Sequence, residues 1–323
     1  MERKKLPLGV ADFRKAIQGQ YLYVDKTSFI EEIMNDGAEV KLFTRPRRFG
    51  KTLNMSMLQY FFDIQNQEEN AKLFQGLKIE SSPYMVEQGK YPVIYLSLKD
   101  TKRDTWEEMI SEIRFFVSEL FYSFRFLLEN SNEFDIPIFK GIITKKSNMS
   151  ELLNSLKILS RMLKEHYQEK VIILIDEYDT PIVSAYEHGY YEEAITFFRN
   201  FYSSALKDNE YLHMGVMTGI LRVAKEGIFS GLNNLAVYSV LDERYSSSFG
   251  LTKEEVESAL NDYDLDYKME EVKEWYDGYR FGSTGSNIFQ KLEILFQRKT
   301  IFQRINKSSD FHDLVNMDEI WVV

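Results

Sequence analysis

The chain has 323 residues, of which 44% are hydrophobic and 28% are charged, a composition typical of one large globular domain or two smaller ones. It contains no cysteine, which excludes disulfides, thiolate zinc sites and cysteine nucleophiles and fits a reducing cytoplasm. A net charge of −10 argues against a global electrostatic grip on nucleic acid, although a local basic patch stays compatible with it.

Strand and helix patterns alternate through the first half of the chain. A short strand is predicted at Tyr21–Val24, and an apolar strand at Val40–Phe43 leads into a basic loop. Hydrophobic residues at helical spacing predict a helix over about Thr52–Phe62, and Val93–Leu98 reads as another strand. The long helical region at about Thr105–Leu128 is apolar but interrupted by charges, whereas a membrane span needs roughly 20 nearly uncharged residues. We therefore expect a cytoplasmic protein with no membrane contact.

The alternation continues through the second half. A helix around Leu152–Leu163 precedes Val171–Ile175, whose unbroken apolar run suits a strand buried on both faces. A further helix is predicted near Tyr191–Leu206 and a further strand at Leu212–Thr218. Strands separated by helices predict an α/β fold, in which a mostly parallel sheet is flanked by helices.

A change of pattern follows residue 250. Thr252 has the character of a helix N-cap and Glu255 would complete a capping box, which predicts a helix start. We expect residues 1–250 to form the core with its N-terminal extension and residues 251–285 to form a small helical subdomain. Residues 286–323 form a tail with no assignable pattern.

The basic loop carries half of a recognisable motif; it reads Arg45-Pro46-Arg47-Arg48-Phe49-Gly50-Lys51-Thr52. The phosphate-binding loop known as Walker A reads G-x-x-x-x-G-K-[ST]. Gly50, Lys51 and Thr52 match its second half, whereas Arg45 stands at the position of its first glycine. The alternative interpretation is that Gly-Lys-Thr, a common tripeptide, simply opens an ordinary helix.

If the loop binds a nucleotide, each residue type has a role. Backbone N–H groups from Phe49 to Thr52 would face the β-phosphate at a helix N-terminus. Lys51 would reach the β- and γ-phosphates, and the Thr52 hydroxyl would bind Mg²⁺. Arg47 and Arg48 would add positive charge near the phosphates.

Two carboxylates follow the most apolar strand of the chain. Asp176 and Glu177 come directly after Val171–Ile175, at the carboxyl edge where ligands bind in α/β sheets. This is the pattern of a Walker B motif, in which Asp176 would hold Mg²⁺ and Glu177 would orient or deprotonate the attacking water. Thr218, at the end of its own strand, stands where a γ-phosphate sensor is expected. Two solvated carboxylates and a turn threonine are the alternatives.

At these residues the chain resembles the bacterial AAA-ATPase-like family of predicted P-loop ATPases. The matching segments run in family order over about Leu6–Gly282. In chain order they are Leu6-Pro7-Leu8-Gly9, Tyr23-Val24-Asp25-Lys26-Thr27, Arg45 to Thr52, Leu174-Ile175-Asp176-Glu177-Tyr178-Asp179, Thr218-Gly219, Phe229-Ser230-Gly231-Leu232-Asn233-Asn234 and Trp275-Tyr276-Asp277-Gly278-Tyr279-Arg280-Phe281.

The resemblance implies a P-loop NTPase core with an extra strand between the Walker A and Walker B strands. It also implies that Arg45 in place of glycine is a family trait. Family members usually have lysine after the position of Asp179, where this chain has Thr180. They are often fused to a C-terminal PD-(D/E)XK nuclease-like domain, which we expect to be missing here because residues 286–323 show no D…E-x-K pattern.

The sequence thus favours an ATP-binding protein that hydrolyses ATP with Mg²⁺ to drive a conformational switch. The alternative is a non-catalytic nucleotide-binding or scaffold module, which could be associated with nucleic acid. The identity of any protein or nucleic-acid partner cannot be read from the sequence.

Overall fold

The computed structural model describes residues 4–220, 228–229, 232–263 and 265, and the backbones of two strands at 279–281 and 286–289. Its centre is a five-stranded sheet in the order β2-β3-β4-β1-β5, and every neighbouring pair is parallel. The strands are β1 (Val40–Thr44), β2 (Val93–Ser97), β3 (Val171–Asp176), β4 (Leu212–Gly219) and β5 (Leu235–Tyr238). The parallel α/β sheet predicted from the sequence is confirmed. β4 lies between β1 and β3, as the family resemblance implies.

Helices connect the strands and cover both faces of the sheet. They are α1 (Phe13–Gln18), α2 (Ser28–Met34), α3 (Lys51–Phe62), α4 (Gln67–Ala71), α5 (Trp106–Ser123), α6 (Asp135–Ile143), α7 (Met149–Leu153), α8 (Ser155–Tyr167), α9 (Thr180–His188), α10 (Tyr191–Leu206) and α11 (Lys253–Asn261). Short 3₁₀ helices lie at Lys72–Phe74, Lys78–Ser81, Pro83–Glu87 and Arg125–Glu129. None of the helices in the described part of the chain combines the length and apolar character that a membrane crossing requires.

Alternate residues of β3 face two separate apolar layers. Ile173 and Ile175 pack into the layer formed with α5, α8 and α10, while Ile172 and Leu174 pack into the layer formed with α1, α2 and α3. All six residues of β3 are buried, as the unbroken apolar run predicts. This double coverage fixes β3 rigidly and so fixes the position of the carboxylates at its end.

Two predictions for the first half need correction. Tyr21–Val24 is not a strand, because its only ladder contact in the described chain is a single bridge between Lys5 and Tyr21. The long helix predicted to Leu128 ends at Ser123 and continues as the 3₁₀ turn Arg125–Glu129. β5 was not predicted, since its four residues lie half-buried at the sheet edge and form too short a pattern.

The region after residue 250 contains both helix and strand. Thr252 caps α11, and the capping box with Glu255 is formed as predicted. Three further strands, β6 (Leu251–Thr252), β7 (Tyr279–Phe281) and β8 (Ser286–Phe289), form an antiparallel sheet in the order β6-β8-β7. β8 lies in the range predicted as unassigned tail. The rest of that tail, and residues 264, 266–278 and 282–285 of the predicted subdomain, lie outside the described residues. The division of the chain at residues 250 and 285 stays a prediction.

Candidate functional site

The predicted site residues meet at the carboxyl edge of the central sheet. The loop at residues 45–52 follows β1, Asp176 is the last residue of β3, and Thr218 is one residue from the end of β4. Because the three strands are parallel neighbours, their carboxyl ends lie side by side, which is where α/β sheets bind ligands.

Asp176 joins two of the predicted residues directly. Its carboxylate is fully buried, and Oδ2 accepts a hydrogen bond of 2.7 Å from the Thr52 hydroxyl. Oδ1 accepts from the hydroxyl of Thr218, which is itself buried. A hydroxyl and a carboxylate are oxygen ligands of the kind that Mg²⁺ prefers, so Thr52 and Asp176 fit a magnesium ion. In this structure the Thr218 hydroxyl holds the carboxylate, and its role as a phosphate sensor stays a proposal.

Lys51 opens α3 with its ammonium group folded back on the loop. Nζ donates to the carbonyl oxygens of Arg45 and Pro46, both at 3.0 Å, and the residue is 5% exposed. Burial lowers the pKa of Lys51, while the carboxylates of Asp179, Glu177 and Asp176 oppose that shift. The ammonium thus lies within electrostatic reach of these three carboxylates.

Glu177 has a strained backbone, with φ at 55° in the left-handed region that a side chain disfavours. Its N–H donates to the Thr218 hydroxyl at 3.4 Å, and Thr180 donates to its carboxylate at 3.3 Å. Burial raises the pKa of Glu177 and Lys51 opposes the rise. The carboxylate is therefore a better proton acceptor than an exposed glutamate.

Positive side chains surround an open cavity beside Lys51, which we call the basic cavity and which encloses about 330 Å³. Its lining residues are Ala11, Arg47, Arg48, Gly50, Lys51, Thr52, Leu53, Lys99, Asp100, Lys102, Glu177, Thr180 and Ile220. Arg47 and Arg48 are exposed there, as expected if they add charge near phosphates. Lys99 and Lys102 were not identified from the sequence as residues of the site. They follow β2, the neighbour of β3, so the rule that ligands bind at strand ends would have identified them.

Arg45 turns away from the basic cavity. Its guanidinium is almost fully buried and donates to the carbonyl oxygens of Thr44 at 3.0 Å, Tyr238 at 2.8 Å and Tyr245 at 3.3 Å. It also lies over the Phe249 ring, 4.9 Å from the ring centroid. Arginine at the position of the first Walker A glycine therefore has a structural role that the sequence did not indicate.

Asp179 is a further residue that the sequence did not single out for the site. It is 2% exposed, and its Oδ2 accepts a 2.8 Å hydrogen bond from the Ile220 N–H, just beyond β4. A Cβ on Gly219 would lie 2.8 Å from Asp179 Oδ1 and would also collide with the Tyr178 ring. Glycine at 219 thus lets the loops that follow β3 and β4 approach each other closely.

Two comparisons with known proteins show what this chain is similar to. A family model described as AAA-ATPase_like, a predicted AAA-ATPase, matches residues 7–229. The chain is also 29% identical over 303 residues to an uncharacterized protein in the vnfD 5' region of Azotobacter chroococcum mcd 1. That alignment covers 93% of this chain but 53% of the relative, so the chain spans about half of the length of that protein.

Proposed function

The chain belongs to the AAA-ATPase-like family, and from this membership we propose that it binds ATP with Mg²⁺ at the basic cavity and hydrolyses it. One observation carries the proposal most directly. Thr52, at the start of α3, and Asp176, at the end of β3, come from residues 124 apart in the chain and meet at 2.7 Å beside Lys51. Burying a carboxylate costs free energy, and core packing does not require a carboxylate that accepts from two hydroxyl groups.

The triphosphate binds at the N-terminus of α3. Helix N-termini favour anions because their first N–H groups have no partner within the helix. Lys51, Thr52 and Leu53, which follow the N-cap Gly50, present those groups to the cavity. Lys51, Lys99 and Lys102 supply positive charge around them. Arg47 and Arg48 complete the cationic lining on the loop side.

Thr52 and Asp176 would hold the magnesium ion, which when bound neutralises charge on the β- and γ-phosphates. Thr218 keeps the Asp176 carboxylate in one orientation through its hydroxyl group. Lys51 must exchange the carbonyls of Arg45 and Pro46 for phosphate oxygens when nucleotide binds. That exchange changes the contacts of the loop between the empty and the loaded protein, and we propose it as the origin of a nucleotide-driven switch.

Glu177 acts on water in the hydrolytic step. A water oxygen attacks the γ-phosphorus, the bond from that phosphorus to the β–γ bridging oxygen breaks, and Glu177 accepts the proton of the water. The raised pKa of the carboxyl group suits it to this task. The reaction yields ADP and phosphate.

The test is calorimetric binding of ATP with and without Mg²⁺, followed by measurement of phosphate release. We expect Mg²⁺-dependent binding by the parent and binding about 10- to 100-fold weaker in Lys51→Ala, the range for loss of a charge-assisted hydrogen bond. Lys51→Ala also leaves the carbonyls of Arg45 and Pro46 without their donor, so we expect some loss of stability, and affinities are compared at a temperature where the melting curve shows the variant to be folded.

Lys72→Ala, which removes an exposed lysine from a 3₁₀ turn, is the matched control and should bind ATP like the parent. Equal ATP affinity in the parent and a folded Lys51→Ala variant would refute the assignment of the loop.

A scaffold that binds nucleotide without turnover is the second candidate. It is favoured by the irregular loop, in which Arg45 stands at the first glycine's position and the Lys51 ammonium is bound by loop carbonyls. ATP binding without phosphate release would support it. The exposed Arg47 and Arg48 also admit a nucleic-acid partner, which salt-dependent DNA binding would reveal. We propose a bacterial cytoplasm as the location, from the family resemblance and the cysteine-free composition.

A further inference from the structure

A second cavity, which we call the apolar slot, adjoins the basic cavity. Gly50 and Leu53 line both, so the two cavities share the first turn of α3 as a wall. The slot encloses about 70 Å³ against about 330 Å³ for the basic cavity.

The walls of the slot are apolar and carry no net charge. Val10, Leu22 and Leu251 line it and are at least 93% buried. Among the described residues that line it, Lys26 alone is charged, and the Lys26 ammonium is neutralised by the Glu255 carboxylate at 2.7 and 2.5 Å. A phosphate therefore has no reason to enter the slot, whereas an uncharged ring gains by leaving water.

One wall of the slot offers unused main-chain groups. Val24 lines the slot in a segment without regular secondary structure, and neither its N–H nor its carbonyl oxygen makes a hydrogen bond to the described residues. Purine and pyrimidine edges carry donors and acceptors side by side, so the free main-chain groups of Val24 can bind them without any polar side chain.

The opposite wall is held in place before any ligand arrives. The Ser247 carbonyl accepts from Lys26 at 2.7 Å, the Ser248 carbonyl accepts from Asn54 at 2.8 Å, and the Gly250 N–H donates to the Phe49 carbonyl at 2.9 Å. These three bonds tie residues 247–250 to the N-terminal segment, α3 and the 45–52 loop, so the slot is preformed.

We infer that the apolar slot is the subsite for the nucleobase of the triphosphate bound in the basic cavity. The base lies between the Val24 backbone and the Gly250–Leu251 segment, while the phosphates extend past Gly50 to Lys51. The inference rests on the function proposed above, and it makes the N-terminal extension and residues 247–251 part of the nucleotide site.

The experiment compares Mg–ATP with Mg–tripolyphosphate, which has the phosphates but no base, by calorimetry. We expect the parent to bind ATP tighter by on the order of tenfold or more, because burying the ring adds apolar contact. Ala16 lines the slot and is 2% exposed, so Ala16→Leu fills it. In this variant ATP affinity should fall to the level of tripolyphosphate, while tripolyphosphate affinity stays unchanged.

Ala71→Leu, which adds the same bulk to α4 outside both cavities, is the control and should keep the parent preference for ATP. If Ala16→Leu does not fold, Ala16→Val fills the slot less and should reduce the preference in part. Equal affinity of the parent for the two ligands would overturn the inference, as would an undiminished ATP preference in a folded filling variant. Failure of the parent to bind either ligand would instead refute the proposed function, and the slot assignment with it.

Discussion

The two buried cations of the 45–52 loop, Arg45 and Lys51, have different surroundings. The Arg45 guanidinium is bound by three carbonyl oxygens and an aromatic ring, and burial lowers its pKa to about 10. The Lys51 ammonium is bound by two loop carbonyls and lies beside a cavity that Glu177 also lines. Burial alone therefore does not distinguish a structural cation from a functional one. The distinction lies in whether the neighbours leave room for a ligand.

The largest effect is expected when the carboxylates near the Lys51 ammonium are substituted. Glu177→Gln keeps the size of the side chain and an oxygen that can accept from Thr180, but it cannot accept a proton. We expect phosphate release to fall by roughly 10²-fold or more, the typical contribution of a general base, with ATP affinity little changed. Single-turnover phosphate release and calorimetry measure the two effects separately.

Asp176→Asn is the matched variant, since it changes the neighbouring carboxylate to an amide in the same way. It should weaken Mg²⁺-dependent ATP binding as well as turnover, because Asp176 is the carboxylate that contacts Thr52. If the parent and Glu177→Gln release phosphate at the same negligible rate while both bind ATP, the protein is a nucleotide-binding scaffold.

For a substitution of Arg45 we expect a change in the stability of the protein and not in its ATP binding. Arg45→Met keeps the apolar stem but leaves the carbonyls of Tyr238 and Tyr245 without their guanidinium donor. At about 1–3 kcal/mol for each buried group left unpaired, the free energy of unfolding should fall by about 2–6 kcal/mol. Urea denaturation measures the loss.

The control for Arg45→Met is Arg125→Met, which removes an exposed arginine that lies 4.8 Å from the Tyr122 ring and should cost little. A folded Arg45→Met protein should still bind ATP within about threefold of the parent, less than half of one tenfold step. A collapse of ATP affinity without loss of stability would show that Arg45 belongs to the phosphate site after all.

The smallest expected effect lies at the far end of α3, remote from Lys51 in the helix. Asp63 follows the last turn, and burial raises its pKa from 3.8 to about 7. The folded protein therefore holds a proton on Asp63 that the unfolded chain releases. The contribution of Asp63 to stability is therefore fully present below about pH 4 and is lost as the pH rises through about 7.

Asp63→Asn is neutral at every pH and keeps the oxygen that accepts from the Gln65 N–H. We expect its melting temperature to exceed that of the parent at pH 8 and to match it near pH 3.5, with ATP affinity unchanged. Asp262→Asn, at an exposed position after α11, should show no such pH-dependent gain. Equal melting curves for parent and Asp63→Asn at both pH values would contradict the prediction.

The sequence predicted the elements whose pattern is local and long. The apolar run of β3 and the capping box of α11 are both present where expected, because each depends on a few consecutive residues. The meeting of Thr52 with Asp176 was also predictable, since parallel strands bring their carboxyl ends together. The roles of Arg45 and Val24 could not be predicted from the sequence. Arg45 depends on carbonyl oxygens, and Val24 on the opposite wall of the apolar slot, and both are contributed by residues about 200 positions away in the chain.

The Arg45 contacts also bear on the order in which the chain acquires its structure. The acceptors on Tyr238 and Tyr245 lie 193 and 200 residues after Arg45. At the usual rates of synthesis, a ribosome needs roughly 10 to 40 s to add that many residues. β4, the direct neighbour of β1 in the sheet, also begins only at residue 212. During that interval a nascent chain carries β1 with both edges unpaired, because β4 and β5 are its two neighbours, and carries an arginine without its acceptors. Chaperones would bind the chain in this state.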